Sequence, residues 1–310
     1  MKVAFLFSGQ GAQTIGMGKE LCENFPASDA VFEAATEALG FDIKEMIFNG
    51  DSETLMITEN TQPAILTMSI AALEAVKTLG IKPDVVAGLS LGEYSAHVAA
   101  GSMEFTDAVK LVKLRGKYMQ EEVPVGVGAM AAILALEPEV VRELCQTASE
   151  KGIVEPANFN CPGQITVAGE IAAVEYACEL AKEKGAKRAM LLPVSAPFHC
   201  SMLKGAGEKL AKELENLEVS DLQVPLITNV TADYVSGKDA IKDLLVRQVS
   251  SSVLFEDSLR KMLADGVDTF IEIGPGKALS GFVKKVNKEV AIYNVEDMAS
   301  FTKLKEAMEA

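Results

Sequence analysis

"VVAGLSLGEYSAHVAA", residues 85–100, is the stretch from which the fold is read. Val85, Val86, Ala87 and Gly88 form a run of branched or small residues, with a strand expected over Pro83–Ala87. The run meets Ser90, set between Gly88 and Gly92, and an Ala-rich segment of helix-forming character follows. A serine at a strand-to-helix turn is held clear of the sheet, with the helix amides aimed at whatever reacts with it. By itself the Gly-x-Ser-x-Gly pattern is a modest signal. A structural tight turn remains the competing reading of Ser90.

Working outward, strands alternate with helices from the first residues, which predicts an α/β fold with a mainly parallel sheet. Lys2–Phe7 reads as a buried strand, followed by the glycine loop Ser8-Gly-Gln-Gly-Ala-Gln13 and a helix beginning in Met17–Glu23. A second helix opens at Thr61-Gln-Pro-Ala64, with Pro63 near its first turn and Gly80 as its stop. Between Gly126 and Val194 the pattern changes. Gly128–Leu136, Val154–Asn158, Gln164–Ala168 and Arg188–Val194 read as strands, and Pro138–Glu150 and Ile171–Lys184 as helices. Strand-helix-strand-strand-helix-strand is the ferredoxin-like (βαββαβ) order. The expected organisation is therefore a discontinuous core of residues 1–125 and 196–310 carrying a ferredoxin-like subdomain at 126–195. Beyond the insert, strands are expected over Pro225–Val230, Thr269–Ile273 and Ala291–Val295, and a helix over Phe255–Ala264.

The chain has 310 residues, 49% hydrophobic and 24% charged, the balance of a soluble globular protein able to bury a large core. No apolar run approaches the roughly 20 residues of a spanning helix. The start, Met1-Lys-Val-Ala-Phe-Leu-Phe7, lacks the long apolar region and small-residue cleavage site of a signal peptide, so a cytoplasmic location is expected. A net charge of -15 argues against nucleic acid or an anionic membrane as the main partner. Cys22, Cys145, Cys161, Cys178 and Cys200 form no Cys-x-x-Cys pair, so neither a disulfide framework nor a metal site is expected.

A nucleophilic serine needs a base, and the chain has only two histidines, His97 and His199. His97 lies seven residues beyond Ser90 on the same expected helix, about 10 Å along its axis at ~1.5 Å per residue, too far to take the proton. It is expected to be a surface or packing residue. His199, in Ser195-Ala-Pro-Phe-His-Cys200, is the candidate left.

Ser8-Gly-Gln-Gly-Ala-Gln13, Thr61-Gln-Pro-Ala64, Gly88-Leu-Ser-Leu-Gly-Glu-Tyr-Ser95, Arg115-Gly-Lys-Tyr-Met119, Asn158-Phe-Asn-Cys-Pro-Gly163, Phe198-His199 and Ile273-Gly-Pro-Gly276 follow one another in order along nearly the whole chain. Together they resemble the malonyl-CoA:acyl carrier protein transacylase family of bacterial fatty acid synthesis. The resemblance implies a hydrolase-like core with a ferredoxin-like insert and a dyad of Ser90 as nucleophile and His199 as base. It implies further that the backbone carbonyl of Gln248 orients the imidazole, and that the backbone amides of Gln10 and Leu91 form the oxyanion hole. Arg115 would grip the malonyl carboxylate through a bidentate pair of charge-assisted hydrogen bonds. Read without the resemblance, Arg115 is one member of a solvated Lys110, Lys113, Arg115, Lys117 run. Phe198 resembles the bulky residue that leaves little room for an α-methyl branch, and Gln62 and Asn160 resemble polar residues lining the pocket. The sequence departs from the commonest pattern at Leu89, often histidine, and at Ser8, often proline. Neither position is asked to move a proton.

The implied reaction is a ping-pong transfer of malonyl from malonyl-CoA to the phosphopantetheine thiol of acyl carrier protein, with no cofactor or metal and with a monomer sufficient. Both partners are anionic, as is the chain, so a local basic rim is expected, with Lys187 and Arg188 as candidates for coenzyme A phosphates or acidic groups of the carrier. The alternatives are a free-standing acyltransferase of a polyketide pathway, a serine esterase or thioesterase, and a noncatalytic carrier-binding module. A hydrolase of neutral acyl groups has no use for a buried cation, and a binding module none for Ser90 and His199.

Overall fold

Nine strands occur among the described residues: β1 (Val3–Phe7), β2 (Val85–Gly88), β3 (Gly128–Leu134), β4 (Val154–Cys161), β5 (Gln164–Glu170), β6 (Arg188–Leu191), β7 (Val253–Leu254), β8 (Thr269–Ile273) and β9 (Ala291–Val295). The structure is a computed structural model describing residues 1–194 and 196–309; Ser195, the last residue of the expected insert, and Ala310 lie outside the described residues. The run Val-Ala-Phe-Leu-Phe of β1 is buried at every position, as a strand covered on both faces must be. Around it lies a four-stranded parallel sheet in the order β2-β1-β8-β9.

The register of this sheet positions the chemistry. Phe7 lies opposite Gly88 on one side and opposite Ile273 on the other, so the three strands end level with one another. The loops after β1, β2 and β8 therefore leave the same carboxyl edge, where open α/β sheets place their ligands. The expected strand over Pro225–Val230 does not form. Only Leu226 and Ile227 make isolated bridges, and the chain turns at Asn229 and Val230 instead of continuing. The side chain of Thr228 bonds to Glu93, and that of Asn229 to Gly88 at the end of β2, which takes this segment away from ladder geometry.

The second sheet has the order β6-β3-β5-β4-β7. Its first four strands are antiparallel to their neighbours, in the arrangement of a βαββαβ unit. Helix Pro138–Ala148 buries Val141, Leu144, Cys145 and Ala148, one face at helical spacing, and helix Ile171–Glu183 buries Ala173, Val174, Ala177, Cys178 and Ala181. These pack on Ala131, Ile133, Ile165 and Val167 as a separate small core. The facing pair Met130 and Ala168 belongs instead to the main core, so the opposite side of the sheet packs against the larger unit. The insert is not self-contained. β7, from the chain after the insert, adds to β4 in parallel and ties the two units together.

One helix differs from expectation. Helix Thr58–Lys77 starts before Thr61, because the Thr61 amide already bonds to Ile57 O, and Pro63 falls in its second turn. Helix Phe105–Glu122 carries Arg115 on its buried side, so the solvated run, the reading made without the resemblance, does not describe it.

Gly92 opens the helix Gly92–Ala99 directly against β1: a Cβ built there would lie 2.1 Å from Phe7 O and 2.9 Å from Ser8 O. Gly92→Ala should therefore push the strand-helix turn away from β1. Overpacking of this kind costs about 1–3 kcal/mol or more, and the melting temperature should fall by about 2 °C or more in a thermal melt. An unchanged melt would show that the contact is not tight.

Candidate active site

Ser90 occupies the turn between β2 and helix Gly92–Ala99, with a backbone φ of 53°. A left-handed conformation in a residue with a Cβ costs roughly 1–2 kcal/mol. It is the geometry of a nucleophile elbow, lifting the hydroxyl off the strand end. The loop after β1 lies alongside. Leu89 N–H donates to Phe7 O (3.1 Å), and a Cβ on Gly9 would come within 2.5 Å of Leu89 O.

The hydroxyl is not alone. Ser90 Oγ lies 2.6 Å from His199 Nε2, although the residues are 109 apart in sequence. His199 itself has φ 62° and is 3% exposed. Its Nδ1 lies 2.9 Å from the backbone oxygen of Gln248. A carbonyl can only accept, so Nδ1 carries the proton and Nε2 presents a lone pair to the serine hydroxyl. Burial, and then the neighbouring Arg115 cation, push the imidazole pKa down to about 3, against the opposing effect of the Gln248 carbonyl. The ring is thus held as a neutral base.

Arg115 is 2% exposed, and its guanidinium meets neutral oxygens only. Nη1 donates to Gln62 Oε1 (2.7 Å), and Nη2 to Gln248 Oε1 (3.0 Å) and Ser90 Oγ (3.2 Å). Its Cζ lies 5.4 Å from the Tyr94 ring centroid, a cation–π contact. Among the described residues no carboxylate forms an ion pair with it; the nearest acidic influence is Glu93, one amide behind Gln248. Burying a cation without a counter-ion costs several kcal/mol. The arrangement is suited to an anion that arrives from outside.

Of the other expected site residues, Gln62 and Gln248 are in this network and fully buried. Leu91 is buried at the helix start and Gln10 half-buried in the loop after β1; neither backbone amide donates to another group among the described residues. Gln10 Nε2 donates to Thr58 Oγ1 (3.2 Å). Phe198 is buried in the main core next to His199 in the chain. Asn160 is buried on β4 with its Oδ1 unpartnered among the described residues, and it makes no bond to Ser90 or His199. Lys187 and Arg188 are exposed at the start of β6, the end away from the chain's return to His199. His97 is a packing residue, 1% exposed, paired with Ser102 Oγ at 2.8 Å, and burial lowers its pKa to about 4.

Three residues of the network were not singled out in the sequence. Asn229 Oδ1 accepts from Ser90 N–H (2.7 Å), and its Nδ2 donates to Gly88 O (2.6 Å). Glu93, wholly buried, accepts from Thr228 Oγ1, Asn229 N–H and Gln248 Nε2 at 2.8–2.9 Å. Burial raises its pKa, with these donors and Arg115 opposing. Glu93 offered a sequence signal, an acidic residue one helical turn beyond the serine. Thr228 and Asn229 offered none.

Known proteins resemble this chain along nearly its whole length. A family described as acyl transferase domain matches residues 4–308. The malonyl CoA-acyl carrier protein transacylase of Bacillus subtilis (strain 168) is 53% identical, over 96% of this chain and 94% of its own length. The crystal structure of the protein of that name from Clostridium perfringens superimposes with a TM-score of 0.97 at 51% identity, covering 100% of this chain and 98% of its own. A malonyl-transacylase in complex with a type II PKS acyl-carrier protein gives 0.96 at 40% identity, covering 99% and 100%.

The lowered histidine pKa has a measurable sign. A general base works only when neutral, so a depressed pKa keeps it working as the pH falls. Labelling of Ser90 by a small organofluorophosphonate should be nearly flat between pH 8 and pH 5. In Arg115→Ala one of the two lowering influences is gone, and the acid half-point should move upward. A wild-type half-point near the ordinary value of about 6.5 would refute the assignment.

Proposed function

The chain belongs to the acyl transferase domain family, and on that premise we propose that it moves a malonyl group from malonyl-CoA to the phosphopantetheine thiol of acyl carrier protein, supplying fatty acid synthesis. The observation behind this reading is Arg115: a buried guanidinium with no carboxylate partner among the described residues, 3.2 Å from the hydroxyl that would attack.

In the first half-reaction Ser90 Oγ gives its proton to His199 Nε2 and attacks the thioester carbonyl. The tetrahedral oxyanion accepts from the Gln10 and Leu91 amides, donors worth about 10²–10³ each in rate. Collapse expels the coenzyme A thiolate, which takes the proton from His199, and leaves a malonyl ester on Ser90. The carrier thiol then enters, gives its proton to His199, attacks the ester, and departs with the malonyl group as Ser90 recovers its proton. Splitting one exchange in two lets each acceptor use the same base and the same oxyanion site. No step calls for a cofactor or metal.

Arg115 selects the cargo. An acetyl group offers it nothing, whereas malonyl offers two carboxylate oxygens to a planar fork already held by Gln62 and Gln248. Two charge-assisted bonds at ~1.5–3 kcal/mol each favour malonyl by about 10²–10⁴. Phe198 and Asn160 are proposed to shape the remainder of the acyl pocket. Every group named comes from one polypeptide, so one chain suffices, and the substrates are those of the cytoplasm. Lys187 and Arg188, exposed on the edge of an acidic molecule, are proposed contacts for coenzyme A phosphates or the carrier's acidic groups.

The polyketide alternative rests on the relative complexed with such a carrier and differs only in the acceptor. Rates with the two carriers side by side would separate them.

Intact mass after mixing with malonyl-CoA should show one malonyl adduct in the wild type, mapped to Ser90, and none in Ser90→Ala. Acetyl-CoA should give little. In Arg115→Ala the malonyl-over-acetyl preference in kcat/KM should drop by about 10²–10⁴. A wild-type chain that acquires no adduct would exclude the transferase reading. Reversing the charge of Lys187 and Arg188 together should raise KM for at least one substrate, with kcat little changed; unaltered KM values for both would remove that patch from the account.

A further inference from the structure

We propose that Asn229, braced by Glu93, is a positioning residue that fixes the strained backbone of Ser90. The proposal rests on the reading of Ser90 as the nucleophile.

The side-chain amide of Asn229 bonds to both ends of the bend: Oδ1 accepts from Ser90 N–H (2.7 Å), and Nδ2 donates to Gly88 O (2.6 Å). Gly88 ends β2, so the clamp spans the last strand residue and the serine two positions on. Ser90 has φ 53°, a conformation that relaxes unless its surroundings hold it. The Asn229 amide has an accepting oxygen and a donating nitrogen side by side, and the bend supplies a donor and an acceptor in matching order; Oδ1 also accepts from Gln248 Nε2 (3.3 Å).

Asn229 is itself held. Its backbone N–H donates to Glu93 Oε2 (2.9 Å), and its backbone oxygen accepts from Leu254 N–H (2.9 Å), at β7. Glu93 Oε2 also accepts from Gln248 Nε2 (2.8 Å), and Glu93 Oε1 from Thr228 Oγ1 (2.8 Å). That bond fixes which way the Gln248 amide points, leaving its Oε1 for Arg115. Gln248 Nε2 donates as well to Ser90 O (2.9 Å). Both backbone polar groups of Ser90 are therefore bound by side chains of this bracket. A rotation of the Ser90 peptide would carry Oγ away from His199 and swing the following Leu91 amide with it, so two parts of the reaction depend on one clamp.

The test compares wild type, Asn229→Ala, Asn229→Asp and Ser90→Ala. Each is checked for folding by thermal melt, then measured for kcat and KM with malonyl-CoA and for the rate of Ser90 labelling by a small organofluorophosphonate, which needs neither the malonyl carboxylate nor the carrier. Asn229→Ala should lose about 100-fold in kcat and a similar factor in labelling, with KM within twofold. Asn229→Asp keeps the acceptor for Ser90 N–H and loses the donor to Gly88 O, and should recover about tenfold of that loss. Malonyl-CoA affinity in a Ser90→Ala background should be the same with and without Asn229→Ala. A folded Asn229→Ala with kcat and labelling within threefold of wild type overturns the proposal, as does a loss confined to KM. If Asn229→Ala does not fold, Asn229→Asp decides: a tenfold loss in kcat and labelling at unchanged affinity supports the clamp, and wild-type rates refute it. Failure of the underlying reading looks different, since wild type itself would then carry no label on Ser90.

Discussion

One buried glutamine holds the site from two directions. The backbone oxygen of Gln248 accepts from His199 Nδ1 and so sets the tautomer that leaves Nε2 free for Ser90. Its side chain faces the other way, giving its oxygen to Arg115 and its amide hydrogens to Ser90 O and Glu93. His199, the backbone of Ser90 and the Arg115 guanidinium are therefore tied to one residue in the helix Lys238–Ser250. A buried polar network is stable only when its members are satisfied together, and in a low-dielectric interior each bond fixes the direction of the next. Among the described residues no carboxylate bonds to the His199 imidazole, and a neutral carbonyl orients the ring in its place.

The electrostatics of the site run against those of the molecule. A chain with a net charge of -15 encloses a guanidinium that has no ion-pair partner among the described residues, and after burial that cation is the next cause lowering the neighbouring histidine's pKa. Glu93 lies close enough to moderate the cation, yet the Gln248 amide stands between them, donating to the carboxylate and accepting from the guanidinium. Two backbone distortions accompany this: Ser90 and His199 both adopt positive φ, at 53° and 62°. Strain at both partners of one hydrogen bond is maintained by the packing around them, where β1, β2 and β8 are buried at every position and the helix Thr58–Lys77 is mostly buried.

Much of the architecture could be read along the chain. Apolar runs such as that of β1 predict covered strands, and the helical spacing of Val141, Leu144, Cys145 and Ala148 predicts the face that is buried. The change of pattern near Gly126 marked the βαββαβ segment, whose strand order the structure displays. Expectation failed where side chains override local preference. The stretch Pro225–Val230 looks like a strand, but Thr228 and Asn229 turn to bond with Glu93 and the serine elbow. Likewise Arg115 sits in a lysine-rich run that periodicity alone assigns to solvent, and its burial follows from packing against Gln62 and Tyr94.

The residue order by itself determined that a serine stands between two glycines at the end of an apolar run, that only two histidines exist, and that strands and helices alternate around an inserted unit. These are local properties, set by side-chain shape and by the repeat distances of helix and strand. Only the tertiary structure decided that His199, the candidate that helical spacing had left, comes within hydrogen-bond reach of Ser90, that the enclosed Arg115 has no carboxylate ion-pair partner among the described residues, and that Asn229 and Glu93 bond around the serine turn. Those facts depend on parallel strands ending level and on segments more than a hundred residues apart converging at one sheet edge, and no local spacing encodes that convergence.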